Sequence, residues 1–161
     1  MSLFFYNHVI DPEVYDKLRR VVSYGCADTI PPMNMTLGGW GMKIDLYFVQ
    51  PVLEKLRELD PDSNYFPFTV QLLRYGPGHR RGAHHDPVAF SAIAGLTLRG
   101  SGDVSLVYRG DEVSNTFHAR EYYIMYGKMV HEYKHFVSPP PVERFSVILR
   151  CVHMEEILNR M

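Results

Sequence analysis

Apolar positions follow one period in the first third of the chain and another in the rest. A short apolar strand over Leu3–Tyr6 is followed by Val14, Leu18, Val21 and Val22 at helical spacing. Asp11 stands as N-cap and Pro12 as the first helical residue, so a helix is predicted from 12 to about 22. A second helix begins at Pro51, with Val52, Leu53, Leu56 and Leu59 on one side, and stops at the turn-forming run from Asp60 to Asn64. Between the helices, Ile30 to Gly41 mixes prolines and glycines with large apolar side chains, which reads as a loop with something to cover. From Phe66 onward the pattern is that of strands: Phe66–Tyr75, Phe90–Leu98, Val104–Arg109, Thr116–His118, Tyr122–Tyr126 and Arg144–His153. Successive strands with few helices predict a mainly β (α+β) domain, a sandwich or jelly roll rather than a parallel sheet. No repeat, low-complexity tract or linker divides the chain. It reads as one domain over 1–161, with N-terminal helices and a lid-like loop in 1–65 and a β core in 66–153.

The last strand carries the first chemical signal. Arg144, Ser146, Ile148 and Arg150 share one face, and Phe145, Val147 and Leu149 the other. Two arginines thus point inward, which is costly unless an anion meets them. A guanidinium binds carboxylate through paired charge-assisted hydrogen bonds, and a dicarboxylate would satisfy both arginines. Upstream, His84 and Asp86 are one residue apart, so in a strand they point to one side while His85 points away. Two imidazoles and a carboxylate on one face of an octahedral metal leave positions open, as in non-haem Fe(II) oxygenases, and His135 is the natural third ligand. The pattern therefore points to an Fe(II) site beside a site for a small diacid, and 2-oxoglutarate is the diacid that such iron enzymes use together with O2.

These segments resemble the AlkB family of Fe(II)/2-oxoglutarate-dependent dioxygenases. Leu73 to Gly78 is similar to the family's asparagine-x-tyrosine-x-x-glycine segment, with His84 nine residues after Tyr75. The resemblance resumes at Met125 to Gly127, eight residues before His135, and closes with two arginines six apart, covering about Phe66 to Arg150. It implies a double-stranded β-helix, a distorted jelly roll, with His84, Asp86 and His135 on the metal. It further implies that Arg144 holds the distal carboxylate of 2-oxoglutarate with help from Tyr75, and that Arg150 sits near the chelating end. Two departures stand out: Leu73 and Ser146 occupy places where many members carry asparagine. The substrate implied is an N-methylated base, of the 1-methyladenine or 3-methylcytosine type, in single-stranded DNA or RNA, demethylated oxidatively. The segment from Met35 to Trp40 resembles the nucleotide-recognition lid, so Trp40 is a candidate for stacking on a flipped base.

Bulk composition sets limits on that picture. Acidic and basic residues nearly cancel, to −1, so no global field draws the protein onto nucleic acid, and any contact must be local. His79, Arg80 and Arg81 form the obvious patch, with His131 as a further candidate for substrate contact. Around His131 the sequence reads as loop entering strand. Cys26 and Cys151 have no CxxC spacing and no signal-peptide run precedes them, which fits a reducing, cytoplasmic compartment best, with a nuclear or viral origin left open. No stretch reaches the roughly 20 apolar residues of a membrane helix, and nothing calls for an obligate protein partner. Within enzymes the rival is a 2-oxoglutarate-dependent hydroxylase of a protein side chain, lipid or small metabolite, since fold and cofactor do not decide substrate. A non-catalytic module that binds metal and 2-oxoglutarate is the rival from another class. A lone histidine–aspartate pair would more often be surface decoration, and a lone tryptophan core filler; what weighs against the bland reading is the ordered set of His84, Asp86, His135, Arg144 and Arg150.

Overall fold

The computed structural model describes residues 8–17, 33–35, 48–75, 81–84, 90–138, 142–153 and 155. The strands are β1 (His8–Val9), β2 (Met33–Met35), β3 (Tyr65–Tyr75), β4 (Arg81–His84), β5 (Phe90–Arg99), β6 (Ser101–Tyr108), β7 (Asp111–His118), β8 (Glu121–Tyr126), β9 (Lys134–Val137) and β10 (Arg144–His153). The helices are α1 (residues 12–17), α2 (Gln50–Leu59) and α3 (Lys128–Glu132). The predicted strand over Leu3–Tyr6, the end of the first predicted helix beyond residue 17 and the loop around Trp40 lie outside the described residues.

Two antiparallel sheets face each other. One has the order β1-β8-β5-β10-β3-β2, the other β4-β9-β6-β7. From β3 to β10 the chain passes from one sheet to the other at every connection except the β6–β7 hairpin, which is the path of a double-stranded β-helix. β10 lies in the middle of the larger sheet, hydrogen-bonded to β3 on one side and β5 on the other, so its backbone donors and acceptors are met along its length.

Alternation along these strands divides the core into two layers. On the outer face Val147, Leu149 and Cys151 of β10 join Ala92, Ala94, Leu96 and Leu98 of β5 under Val52, Leu53 and Leu56 of α2. Between the sheets Leu73, Ile93, Tyr123, Met125 and Ile148 meet Val104, Leu106, Phe117 and Val137 of the smaller sheet. Helices thus cover one face of the larger sheet and leave the space between the sheets for a site. Asp11 caps α1 as expected, its Oδ1 accepting from the backbone N–H of Glu13 at 2.9 Å. α2 starts with Pro51 in its first turn and ends at Asp60, whose N–H bonds Leu56 O.

Four features depart from the expectation. β4 and β9 are strands of only four residues, too short for a periodic signal. β7 runs from Asp111 rather than Thr116, because its first residues are largely exposed and show no apolar alternation. The segment before His135 is not all loop: after Gly127, at φ 61°, the chain makes the single helical turn α3, which buries Met129 and Val130 between the sheets. β6 begins at Ser101, three residues earlier than its apolar run.

Candidate active site

At one edge of the smaller sheet, β4 and β9 pair so that His84 is the register partner of His135. His135 is 8% exposed and alternates with exposed Lys134, and its neighbour across β6 is Leu106, a member of the inter-sheet cluster. Its side chain therefore lies on the inner face. Gly127 N–H bonds Ser91 O, which fixes α3, and hence the start of β9, over the first residues of β5. Residues 85–89 join the end of β4 to that same end of β5. Asp86 lies among them, outside the described residues, as do Trp40 and Arg80.

The inner face of β10 carries Arg144, Ser146, Ile148 and Arg150, all buried, with Ile148 in the inter-sheet cluster. Arg150 lies at the histidine end, opposite Ile93 and 8% exposed, its guanidinium 5.8 Å from the ring centroid of Phe90. That ring faces Phe68, which is exposed beside it. Arg144 lies at the far, closed end, 1% exposed, and donates from Nη2 to Thr97 Oγ1 at 3.0 Å. It crosses the space between the sheets: a Cβ added at Gly102 of β6 would fall 2.7 Å from Arg144 Cδ and 3.0 Å from its Nη1. Glycine at 102 is thus a clearance for the arginine, the usual reason for glycine inside a strand where another chain segment approaches closely.

Ser146 is fully buried, and its Oγ finds no hydrogen-bond partner among the described residues. A buried hydroxyl in that state costs free energy, so it marks a place built for a polar ligand. Register sets Tyr75 opposite Arg144 and Leu73 opposite Ser146. Arg81 lies at the other end of β4 from His84, opposite Val137, and His131 is exposed on α3. Thr97, Gly95, Gly102 and Tyr123 belong to this interior and were not expected from sequence; an isolated glycine within a strand pattern was the available signal for the two glycines. Cys151, next to Arg150, points the other way, and burial pushes its thiol up to about 12, which makes it packing and not a ligand.

The interior therefore has two chemically distinct ends. One offers imidazole nitrogen, a soft-to-borderline donor set suited to iron. The other offers a buried guanidinium with hydroxyls, suited to a carboxylate. Both ends fit an Fe(II) ion chelated by a small 2-oxo diacid.

This fold is that of the 2-oxoglutarate/Fe(II) oxygenases, a class of oxidoreductases. Among solved structures the chain is similar to a Pseudomonas putida prolyl-4-hydroxylase, at TM-score 0.72 and 15% identity over 94% of this chain and 93% of that one. It is also similar to the viral collagen prolyl hydroxylase of Paramecium bursaria Chlorella virus-1 in its 2-oxoglutarate complex, at TM-score 0.68 and 13% identity over 94% and 96%. A third is a Trichoplax adhaerens prolyl hydroxylase in complex with a hypoxia-inducible-factor peptide fragment, at TM-score 0.69 and 11% identity over 94% and 84%. No protein-family model matches the chain. No curated protein matches it either. The likeness is to the oxygenase fold, and nothing in it singles out the AlkB branch that the local motifs resemble. No helix among the described residues is long and apolar enough to cross a membrane.

Proposed function

We propose that this chain is an Fe(II)- and 2-oxoglutarate-dependent hydroxylase of a peptide or protein side chain. The observation that carries the reading is the placement of Arg144 and Ser146, buried on the inner face of β10, with the His84–His135 register pair on the smaller sheet. His84, Asp86 and His135 would hold Fe(II). Arg144 and Ser146, with Tyr75 opposite in register, would hold the distal carboxylate of 2-oxoglutarate. When bound, Fe(II), 2-oxoglutarate and O2 supply an oxidant that hydroxylates an unactivated C–H bond, with succinate and CO2 as co-products.

The protein's part is placement. Arg144 would hold the distal carboxylate of the diacid on the inner face of β10. Ile93, Leu106 and Val104 make the space between the sheets apolar and would keep water from it. Arg150 and Phe90, 5.8 Å apart at the histidine end, would face the substrate. The substrate class follows from three supports: near-zero net charge, a chain that spans nearly the whole length of small prolyl hydroxylases, and a peptide bound to one of these neighbours. Methylated single-stranded DNA or RNA, the substrate implied by the local motifs, has none of these supports.

The test is incubation with Fe(II), ascorbate, O2 and 2-oxoglutarate of two substrate sets, proline-rich peptides and single-stranded oligonucleotides carrying 1-methyladenine or 3-methylcytosine, followed by mass spectrometry. We expect gain of one oxygen atom on peptide with matching succinate. Loss of a methyl group from the oligonucleotide, with unmodified peptide, would return the substrate to nucleic acid and overturn the peptide reading.

A further inference from the structure

The β6–β7 hairpin closes in two residues, Arg109 and Gly110, between the register partners Tyr108 and Asp111. Both have positive φ, 49° and 86°, the backbone that so tight a turn requires. Gly110 takes it freely, and asparagine, aspartate or glycine is the usual residue at the place before it. Arginine there is strained, so its side chain has to be accounted for by something other than the turn.

Tyr108 is on the inner face of β6, two residues beyond Leu106, the register partner of His135. It packs on the inter-sheet cluster, and its ring lies 4.7 Å from that of Tyr133, two residues before His135. Over the same Tyr108 ring, 5.1 Å from its centroid, stands the guanidinium of exposed Arg109. The arginine thus turns back from the hairpin toward the aromatic pair at the histidine end. A guanidinium held over a ring face by cation–π attraction still has its in-plane N–H groups to donate. Neither Asp111, across the turn, nor any other carboxylate among the described residues forms an ion pair with Arg109. A cation without a counter-charge therefore stands two residue rises, roughly 7 Å, past the level of His135.

We infer that Arg109 is a specificity-determining residue for the substrate, donating paired hydrogen bonds to a glutamate or aspartate about two or three residues from the one that is oxidised. The inference rests on the reading of the chain as a peptide or protein hydroxylase, and it narrows the substrate to an extended segment with an acidic side chain. Such a segment rises about 3.3 Å per residue, so a carboxylate at that remove from the residue beside the histidines meets the guanidinium. The net charge of the whole chain, −1, gives no preference for acidic partners, so the selection is made by this local cation.

The test is the rate of oxidation, by mass spectrometry with matching succinate, of proline-rich peptides that differ only in a glutamate, glutamine or lysine about two or three residues to either side of one proline. The wild type should use the best glutamate peptide at least roughly tenfold better in kcat/KM than its glutamine counterpart, the worth of one hydrogen bond to a charged group, and the lysine peptide worst. Arg109→Glu should reverse that order. Arg109→Gly relieves the positive φ, so it should melt no lower than wild type and yet lose the preference. Equal use of the three peptides by the wild type, or an unchanged order in Arg109→Glu, would overturn the role of Arg109 while leaving the hydroxylase reading standing. A parallel fall of all three rates with a lower melting temperature in both variants would make the arginine purely structural and also overturn it. No oxidation of any of these peptides by the wild type would remove the peptide reading itself, and this inference with it.

Discussion

On the proposed reading, Arg144 is the side chain on which the chemistry turns. A guanidinium 1% exposed, bonded to Thr97 and seated over Gly102, cannot be exchanged for a neutral group without consequence. Arg144→Gln keeps a donor of smaller reach and no charge. The expected cost to 2-oxoglutarate is about 2 kcal/mol or more, roughly 30-fold in affinity, measured by titration of the diacid. An unchanged requirement for 2-oxoglutarate would remove Arg144 from the site. Cys151 makes the opposite case. Its thiol is pushed up to about 12 by burial, so almost no thiolate exists near neutral pH, and it points into the outer core. Peptide mapping after iodoacetamide should find Cys151 unmodified in the native protein and alkylated only after denaturation; labelling in native buffer at the pace of a free thiol would contradict its burial.

At the scale of elements, β10 joins stability to function, since one face seals the outer core and the other faces the cavity. Leu149→Ala removes a fully buried side chain from the centre of the larger sheet and should cost about 2–5 kcal/mol in chemical denaturation. Gly102→Ala should cost about 1–3 kcal/mol through overpacking against Arg144. Equal stability of either variant and wild type would contradict the packing described. β10 was fully legible in the sequence because its alternation is regular and its inner polar residues are conspicuous. β4 and β9 were legible only through their histidines: four residues are too few to show a period, and their pairing is a long-range contact. α3 was read as loop because a single turn has no helical period, and only the burial of Met129 and Val130 explains it. The end that carries Arg144 was half legible. Charges announce themselves at Arg144 and Arg150, whereas Gly95 and Gly102 act through absent side chains, the first leaving room for the Tyr123 ring and the second for Arg144.

Over the whole molecule, the local motifs and the fold answer different questions. Metal and diacid spacings belong to chemistry that the oxygenase fold carries for many substrates, so they could not select nucleic acid over peptide. Acid stability is another whole-molecule property. His8 ties β1 to the larger sheet, and its pKa is lowered by burial and then by Lys55, partly opposed by Glu58. The unfolded chain binds a proton near the ordinary value of 6.5, while the folded one resists it. Stability therefore falls as pH drops below 6.5 and levels off once the folded state also takes the proton. His8→Gln should flatten that part of the unfolding free energy against pH; an unaltered profile would show that His8 does not set it.

The most direct measurement is anaerobic visible spectroscopy of the Fe(II)-loaded protein titrated with 2-oxoglutarate, in wild type, His135→Ala and Arg144→Gln. The expected result is a charge-transfer band from chelated 2-oxo acid in the wild type, a band needing far more 2-oxoglutarate in Arg144→Gln, and none in His135→Ala. A wild-type protein that shows no band at saturating Fe(II) and 2-oxoglutarate would contradict the assignment of this cavity.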